Sequence, residues 1–435
     1  MASRIGTSTT SAGLRAIRPV ILASFIGTTI EWYDFFLYGT AAALVFSQLF
    51  FPNVDPFLGR LSALGTFAVG FVARPLGGII FGHFGDRLGR KSMLVYSLVI
   101  MGVATFLIGV LPTYHSIGVW APILLVVLRC AQGIGVGGEW GGAVLMAVEH
   151  SPGARRGLAG SWPQMGVPAG LFLSTVVFGL VSTQLSEEQF LSWGWRVPFL
   201  LSLALIVVGL FIRLTLAETP AFTQVKQSGQ QHRRPLMAAV KHHRRNMLLA
   251  MGMRVAENGV FYIYTVYVLA YGQAELGLAR ATLLWGVTLA ALAGLVAIPF
   301  YGALSDRVGR RPVYLFGAAF SFAFAFPFFW MVNTGSPGLI WAAIFLGVVV
   351  GHNAMYGPQA AYFSELFGSS VRYSGASVSY QLASVVSGGL APFIATALLA
   401  WKGSSAVAAY MMVLAAITLV STWLASETYQ GELSS

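Results

Sequence analysis

Long apolar runs and short polar segments alternate along the whole chain. Apolar stretches near or above about 20 residues, the length of a membrane-spanning helix, recur from Pro19 almost to the C-terminus. The pattern predicts about twelve spans. The first six are predicted at 19–47, 60–83, 92–111, 119–148, 157–185 and 194–216. The second six are predicted at 247–272, 282–303, 312–333, 338–365, 375–401 and 406–426. The fold class predicted is an all-α polytopic membrane protein.

One polar connection is much longer than the others. Residues 217–245 contain Pro220, Pro235 and the basic cluster 241–245, so we predict a linker between two halves. The predicted organisation is an N-terminal segment 1–18, a six-helix bundle 19–216, the linker 217–245, a second six-helix bundle 246–426 and a tail 427–435.

A short basic motif occurs once in each half. Gly82-His-Phe-Gly-Asp-Arg-Leu-Gly-Arg-Lys returns 220 positions later as Gly302-Ala-Leu-Ser-Asp-Arg-Val-Gly-Arg-Arg, each copy between two apolar runs. Arg155 and Gln164 likewise return as Arg372 and Gln381, 217 positions later. Internal repeats of this kind are common in membrane transporters. The twelve predicted helices should therefore form two pseudo-symmetric bundles, with each motif as a tight polar loop.

The charge distribution predicts the orientation of the chain in the bilayer. Only 9% of the residues are charged, and the net charge is +11. If the spans alternate, 18 of the 26 Lys and Arg residues fall on one side, in 1–18, 87–91, 155–156, 226–245, 307–311 and at Arg372. Such an asymmetry marks the cytoplasmic side. We expect a multi-pass protein of the plasma membrane (the inner membrane in a Gram-negative bacterium) with both termini cytoplasmic, and no nucleic-acid partner.

Several other kinds of site are disfavoured. The glycine-rich fourth span lacks the strand and the Gly-Lys-Ser/Thr of a phosphate-binding loop, so its glycines are better explained by close helix packing. The histidines show no metal-ligand spacing, and only His352 lies deep in a span. There is no His-Glu-x-x-His motif and no serine nucleophile elbow. We therefore expect neither an enzyme nor a bound metal.

Ionisable side chains near the bilayer midplane are costly, so they are functional candidates. They are four acids, Glu31, Asp34, Glu139 and Glu257, and three arginines, Arg74, Arg129 and Arg254. Pairing leaves one acid over, and a carboxyl buried in a low-dielectric cavity tends to take up a proton. We predict that one of the four acids couples transport to protons. The alternative, buried ion pairs that hold helices in register, applies most to Arg74 and Glu139.

Polar and aromatic side chains near these charges are candidates for substrate contacts. Arg129 and Arg254 are predicted to attract a carboxylate. The further candidates are Trp32, Tyr33, Tyr38, Gln132, Trp140, Asn258, Tyr262, Tyr356, Tyr380 and Gln381. Taken singly, each aromatic residue is more often a packing residue than a ligand contact.

The two basic motifs resemble the signature loop of the major facilitator superfamily. Further segments resemble its metabolite:proton symporter family, and most closely the shikimate-permease branch. These are Glu31-Trp-Tyr-Asp-Phe, Arg74-Pro-Leu-Gly-Gly, Arg129 to Trp140, Trp193 to Phe199, Glu218 to Phe222, Arg254 with Glu257, and Arg372 to Gln381. The resemblance implies two bundles that rock about a central site, with the proton as coupling ion and no other cofactor. It also implies gating by Asp86, Arg87, Arg90, Asp306, Arg307 and Arg310.

The leading functional hypothesis is proton-coupled uptake of a small organic anion, such as shikimate or a di- or tricarboxylate, by alternating access. A carrier of this size needs no partner chain to form its path, so we expect a functional monomer. The alternative is a proton-coupled exporter of metabolites or drugs. The three deep arginines favour a specific polar ligand over the broad apolar pocket of an exporter. A membrane-embedded enzyme or sensor lacks any supporting motif.

Overall fold

The computed structural model describes residues 9–88, 90–137, 140, 144, 147–148, 151, 153–215, 243–367 and 372–431. Within these residues the chain is helical, with short connections and no strand. In the first half the crossing helices are α1 (Thr9–Leu44), α2 (Pro56–Leu88), α3 (Arg90–Val110), α4 (Trp120–Val136), α5 (Arg156–Gln184) and α6 (Val197–Thr215).

The second half repeats this arrangement. Its helices are α7 (Arg244–Tyr262, continued by Ile263–Tyr267 and Val268–Ala274), α8 (Arg280–Val308), α9 (Arg310–Asn333), α10 (Pro337–Glu365), α11 (Arg372–Ser384, continued by Val385–Gly389 and Ala391–Lys402) and α12 (Ser404–Leu424). The segments Ile263–Tyr267, Leu346–His352 and Val385–Gly389 are π-helical turns within α7, α10 and α11.

By length and composition, eight of the described helices are long and apolar enough to cross a membrane, and the apolar parts of α3 and α4 are shorter. The remaining two, α1 and α7, contain Glu31, Asp34, Arg254 and Glu257. The predicted all-α fold is confirmed, and the two crossing helices outside this apolar set are the first of each half.

Helix packing shows the pseudo-symmetry of the halves. In the first half α1 packs on α5 and α6, α2 on α4, and α3 on α4 and α6. The equivalent pairs occur in the second half, where α7 packs on α11 and α12, α8 on α10, and α9 on α10 and α12. The halves meet where α2 contacts α11, α5 contacts α8 and α10, and α1 contacts α7.

Glycines explain how closely α4 approaches α2. A Cβ atom at Gly133 would collide with the carbonyl oxygen of Gly70, and one at Gly137 with the carbonyl oxygen of Arg74. A Cβ atom at Gly70 would in turn collide with the guanidinium of Arg129. The glycine-rich fourth span thus serves helix packing, and this packing brings Arg74 and Arg129 to the same region.

The repeated basic motif is not the loop that the sequence predicts. Helix α8 continues through Asp306 and Arg307 to Val308, and only Gly309, with a φ of 107°, separates it from α9. The first copy is helical up to Leu88. A polar sequence bordered by glycine predicts a turn, but Asp306 and Arg307 of the second copy lie on the last helical turn of α8.

The predicted linker falls almost wholly outside the described residues, and α7 already begins at Arg244. The end of the molecule that carries Arg156, Arg245, Arg307 and Arg310 is called the basic face here. The opposite face carries the connections between α1 and α2 and between α7 and α8.

Candidate substrate and proton site

A small cavity lies where the two halves meet. Its volume is about 30 Å³, which is room for about two water molecules. Its lining comes from both halves and comprises Thr28, Glu31, Trp32, Arg74, Val136, Trp140, Val144, Pro163, Gln164, Val167, Tyr356, Tyr380 and Gln381. An organic acid needs a larger space, so the structure shows the site in a closed state.

Asp34 is a buried carboxylate without a cationic partner in the described part of the chain. Its side chain is 1% exposed, and the hydroxyl of Ser202 on α6 donates a hydrogen bond to Oδ1. The hydroxyl of Thr105 on α3 lies nearby, but it donates to the carbonyl oxygen of Met101 at 2.9 Å. In the described part of the chain, the Ser202 hydroxyl is therefore the one side-chain donor with a hydrogen bond to Asp34.

A chain of hydrogen bonds extends from Thr105, which lies close to Asp34, to Arg129. Gln132 donates from Nε2 to the Thr105 hydroxyl at 2.7 Å, and Arg129 donates from Nη1 to Gln132 Oε1 at 2.9 Å. Nε and Nη2 of Arg129 have no hydrogen-bond partner among the described residues. The guanidinium instead lies 4.2 Å from the ring centre of Tyr38. Cation–π contacts of this kind partly compensate a buried charge.

Arg74 is compensated in the same incomplete way. It is 1% exposed and lies 4.2 Å and 4.3 Å from the ring centres of Phe35 and Phe71. Its Nε and Nη2 have no hydrogen-bond partner among the described residues. The Tyr262 hydroxyl lies within hydrogen-bonding reach of the guanidinium. Because Arg74 also lines the cavity, its unpaired N–H groups are available to an anion there.

Arg254 differs from the other two arginines because each of its guanidinium nitrogens has a partner. Nη1 donates to Glu257 Oε2 at 2.6 Å and to Gln359 at 3.1 Å, and Nε donates to Ser384 at 2.9 Å. Nη2 lies 3.3 Å from Asn258 Oδ1. This network leaves Arg254 little capacity to bind a substrate carboxylate.

Glu257 is equally well satisfied. Besides Arg254, it accepts a hydrogen bond from Gln359 Nε2 at 2.9 Å and lies 3.1 Å from His352 Nε2. The ring of His352 packs between Phe261 and Tyr356, with centres 4.3 Å and 5.1 Å away. The deep histidine thus belongs to the ion-pair network of the second half.

An aromatic stack joins the halves beside the cavity. Trp140 of the first half stacks on Tyr380 of the second half at a distance of 3.7 Å between ring centres. The Arg254 guanidinium lies 3.2 Å from the centre of the same Tyr380 ring. The indole Nε1 of Trp140 has no hydrogen-bond partner among the described residues.

Two glutamines make reciprocal bonds between the halves. Gln164 of α5 donates from Nε2 to the carbonyl oxygen of Tyr356 at 2.5 Å. Gln381 of α11 donates from Nε2 to the carbonyl oxygen of Gly137 at 3.1 Å. Both side chains line the cavity, and neither Oε1 atom has a hydrogen-bond partner in the described part of the chain.

The remaining predicted contact residues separate into two groups. Trp32 lines the cavity, and Tyr262 packs among Phe35, Phe67 and Phe71 close to it. Tyr33 and Tyr38 lie away from the cavity, because their hydroxyls donate to Pro198 O and Thr66 Oγ1, both at 2.7 Å. Glu139 lies outside the described residues.

Comparison with known proteins identifies the family. The family model of the Major Facilitator Superfamily matches residues 24–381. The chain belongs to the major facilitator superfamily. It is therefore a membrane transporter and not an enzyme.

Individual members of the superfamily resemble the chain over nearly its whole length. It is 44% identical over 419 residues to the inner membrane metabolite transport protein YhjE of Escherichia coli K12, covering 95% of each chain. It is 43% identical over 424 residues to the shikimate transporter of the same organism, covering 96% of each. The crystal structure of a D-xylose-proton symporter matches with a TM-score of 0.74 at 18% identity, covering 96% of this chain and 99% of that one. The predicted major facilitator fold is thus confirmed.

The second copy of the superfamily's signature motif connects the halves at the basic face. Asp306 accepts hydrogen bonds from the backbone N–H groups of Gly157 and Leu158, at 2.8 Å and 2.9 Å, in the first turn of α5. Arg310 donates to Asp306 at 2.7 Å and to both oxygens of Glu365 at 3.2 Å. Arg307 is exposed. The side chains of Asp86, Arg87 and Arg90 lie outside the described residues.

The opposite face has its own contacts between the halves, which the sequence interpretation missed. Arg60 at the start of α2 lies 3.2 Å from Glu275, and Arg280 at the start of α8 lies 3.0 Å from Glu187. Arg60 and Arg280 are 220 positions apart, the same offset as the two signature motifs. Their shared offset with the signature motifs is the sequence signal that identifies Arg60 and Arg280 as equivalent positions of the two halves.

Other functional contacts could not be read from the pattern. Ser202, Thr105 and Gln359 are common polar residues whose role depends on which helix face meets which neighbour. The sequence gives a structural and a functional role of Arg74 about equal weight, and its Nε and Nη2 atoms, without partners among the described residues, add it to the candidate site.

Proposed function

We propose that this transporter takes up a small organic acid together with a proton, by alternating access of the central cavity to the two faces. The 43% identity to a protein named shikimate transporter supports a small organic acid as the substrate class. The unpaired N–H groups of Arg74 and Arg129 support an anionic substrate, because buried cations require partners.

The observation that carries the proton coupling is the environment of Asp34. A carboxylate charge buried without a cation is costly, and protonation removes most of that cost. Glu257, in contrast, is held by Arg254 and His352 and is suited to remain ionised. Asp34, and not Glu257, is therefore assigned the coupling proton.

The position of Asp34 near the Arg129 network suggests how proton and substrate depend on each other. Protonation of Asp34 removes a negative charge from this region, while Arg129 stays held by Gln132, which is bonded in turn to Thr105. The uncompensated cation then favours entry of an organic anion. After the cavity opens to the other face, loss of the anion and loss of the proton promote each other.

The basic face is assigned to the cytoplasm by its concentration of Lys and Arg. Inward symport of one proton with one monocarboxylate anion moves no net charge, so the pH gradient drives accumulation, and each pH unit contributes about 1.4 kcal/mol, or roughly tenfold.

The test uses purified transporter in proteoliposomes, with radiolabelled shikimate and 2-oxoglutarate as probes. We expect Asp34→Asn to abolish uptake driven by a proton gradient while retaining exchange of internal for external substrate. The matched control is Asp55→Asn, the same change at an exposed position, which should accumulate substrate as the wild type does. Full concentrative uptake by Asp34→Asn would show that Asp34 does not carry the proton.

A further inference from the structure

Several buried polar atoms of the cavity lining have no hydrogen-bond partner among the described residues, and they include both donors and acceptors. The donors are Nε and Nη2 of Arg74 and Nε1 of Trp140. The acceptors are Oε1 of Gln164 and Oε1 of Gln381. Because unpaired buried polar groups are costly, a ligand that satisfies both kinds gains most in this cavity.

The orientation of the two glutamine amides is fixed by their partners. Each amide faces a backbone carbonyl oxygen, of Tyr356 for Gln164 and of Gly137 for Gln381. A carbonyl oxygen only accepts hydrogen bonds, so the NH₂ group must face it and the Oε1 atom must be the unpaired one. Gln164 and Gln381 are 99% and 94% buried, so water does not satisfy these oxygens from the surface.

Among the described residues, the cavity lining contains one cation, so it can pair with one substrate carboxylate. Arg74 is the arginine that lines the cavity, whereas Arg129 is not among the lining residues and Arg254 is already fully paired. Two parallel N–H groups of a guanidinium match the two oxygens of a carboxylate. The Oε1 atoms of Gln164 and Gln381, and the carboxyl of Glu31, also line the cavity and would repel a second carboxylate.

We propose, building on the function proposed above, that Arg74 binds the substrate carboxylate and that Gln164 and Gln381 accept hydrogen bonds from substrate hydroxyls. The preferred substrate is then a hydroxylated monocarboxylic acid. A dicarboxylate has no donor for the glutamine oxygens. An α-amino acid carries its ammonium group next to its carboxylate, which would bring that ammonium against the Arg74 guanidinium.

The test measures dissociation constants on purified protein in detergent, by calorimetry, for shikimate and for cyclohex-1-ene-1-carboxylate, which has the same ring and carboxylate but no hydroxyls. We expect the wild type to bind shikimate at least about tenfold more tightly, since each hydrogen bond contributes roughly 0.5–1.5 kcal/mol. We also expect 2-oxoglutarate and proline to bind more weakly than shikimate.

Variants separate the two roles. Gln164→Met and Gln381→Met should each lower the preference for shikimate over the deoxy acid by about 3- to 10-fold. Gln381→Glu keeps an acceptor oxygen and should retain the preference even if both acids bind more weakly. Arg74→Gln should weaken both acids by about 10- to 100-fold and leave the preference unchanged. Gln184→Met and Arg244→Gln, at exposed positions, are the matched controls.

Three results would overturn the proposal. These are wild-type affinity in Arg74→Gln, an unchanged preference in both Met variants, and a wild type that binds 2-oxoglutarate or proline more tightly than shikimate. Binding in detergent needs no proton gradient, so a failure of proton coupling would leave this result intact. If none of the acids binds, both proposals fall.

Discussion

The three deep arginines are equally buried, but their charges are compensated differently. Arg254 has an ion pair with Glu257 and further hydrogen bonds, whereas Arg74 and Arg129 rest on aromatic rings with two nitrogens each unpaired. Breaking a buried ion pair leaves an unpaired charge and costs about 3–5 kcal/mol. Removing a charge that has no counter-ion leaves no such charge behind.

A prediction about stability follows for these side chains. Glu257→Gln should destabilise the protein clearly, and the double variant Arg254→Gln/Glu257→Gln should be less destabilised than Glu257→Gln alone. Arg129→Gln should cost little stability, because Arg129 has no carboxylate partner among the described residues that the change would leave unpaired. Thermal unfolding of the purified variants in detergent measures all three. Equal losses in the single and double variants would contradict the account of Arg254 and Glu257 as a pair.

The depth of these charges could be predicted from the sequence, but their partners could not. Counting residues from the end of a span places Glu31, Asp34 and Arg129 near the midplane. Which neighbour each side chain meets depends on the rotation of one helix against another. Tyr33 illustrates the limit, since it lies one position from Trp32 but donates its hydroxyl to Pro198, away from the cavity.

At the scale of helices, the contact of α2 with α4 positions the site. Two opposed effects decide what happens if Gly137 is replaced by alanine. Alanine is about 1 kcal/mol better than glycine within a helix. Its methyl group would, however, lie against the carbonyl oxygen of Arg74, and overpacking costs about 1–3 kcal/mol. The steric cost should exceed the gain in helix propensity, because the colliding carbonyl oxygen belongs to the backbone and cannot move aside as a flexible side chain can.

We therefore expect Gly137→Ala to lower the unfolding temperature and to weaken binding of organic acids, since separation of α2 from α4 displaces Arg74. The matched control is Gly338→Ala in α10, where an added Cβ meets open space. That variant should be neutral or slightly stabilised. A Gly137→Ala variant with wild-type stability and binding would show that the close contact is not required.

Span positions could largely be predicted at this scale, whereas helix irregularities could not. Most predicted boundaries fall within a few residues of the observed ones, because a bilayer fixes the length of an apolar run. The π-helical turns of α7, α10 and α11 left no signal in the apolar pattern. They all lie in the second half, and one ends at His352, which contacts Glu257. Such turns occur frequently at functional sites.

For the whole molecule, the contacts at the two faces differ in strength. The ion pairs of the opposite face are partly exposed, with Glu187 at 61% and Glu275 at 41%, and exposed pairs contribute about 0–1 kcal/mol each. Asp306 at the basic face is 8% exposed and is held by Arg310 and two backbone N–H groups. The closed state should therefore open more readily at the opposite face.

A double variant tests this comparison. Arg60→Ala/Arg280→Ala should shift the population toward a form open at the opposite face, by about 5- to 30-fold if each pair contributes up to 1 kcal/mol. Spin labels at Ser116→Cys and Ser336→Cys, both exposed, in a Cys130→Ser background would report a longer distance in double electron–electron resonance. Arg244→Ala, at an exposed position, is the control and should leave the distances unchanged. Unaltered distances in the double variant would show that the ion pairs do not hold that face closed.

The reciprocal bonds of Gln164 and Gln381 have a consequence for the direction of transport. Each half grips the backbone of the other through an equivalent amide, so this pair of bonds gives neither half a privileged role. Two equivalent bonds placed on both sides of the centre favour neither direction of movement. Net flux is then decided by the electrochemical driving forces across the bilayer, and reversing those forces should make the same molecule run backwards.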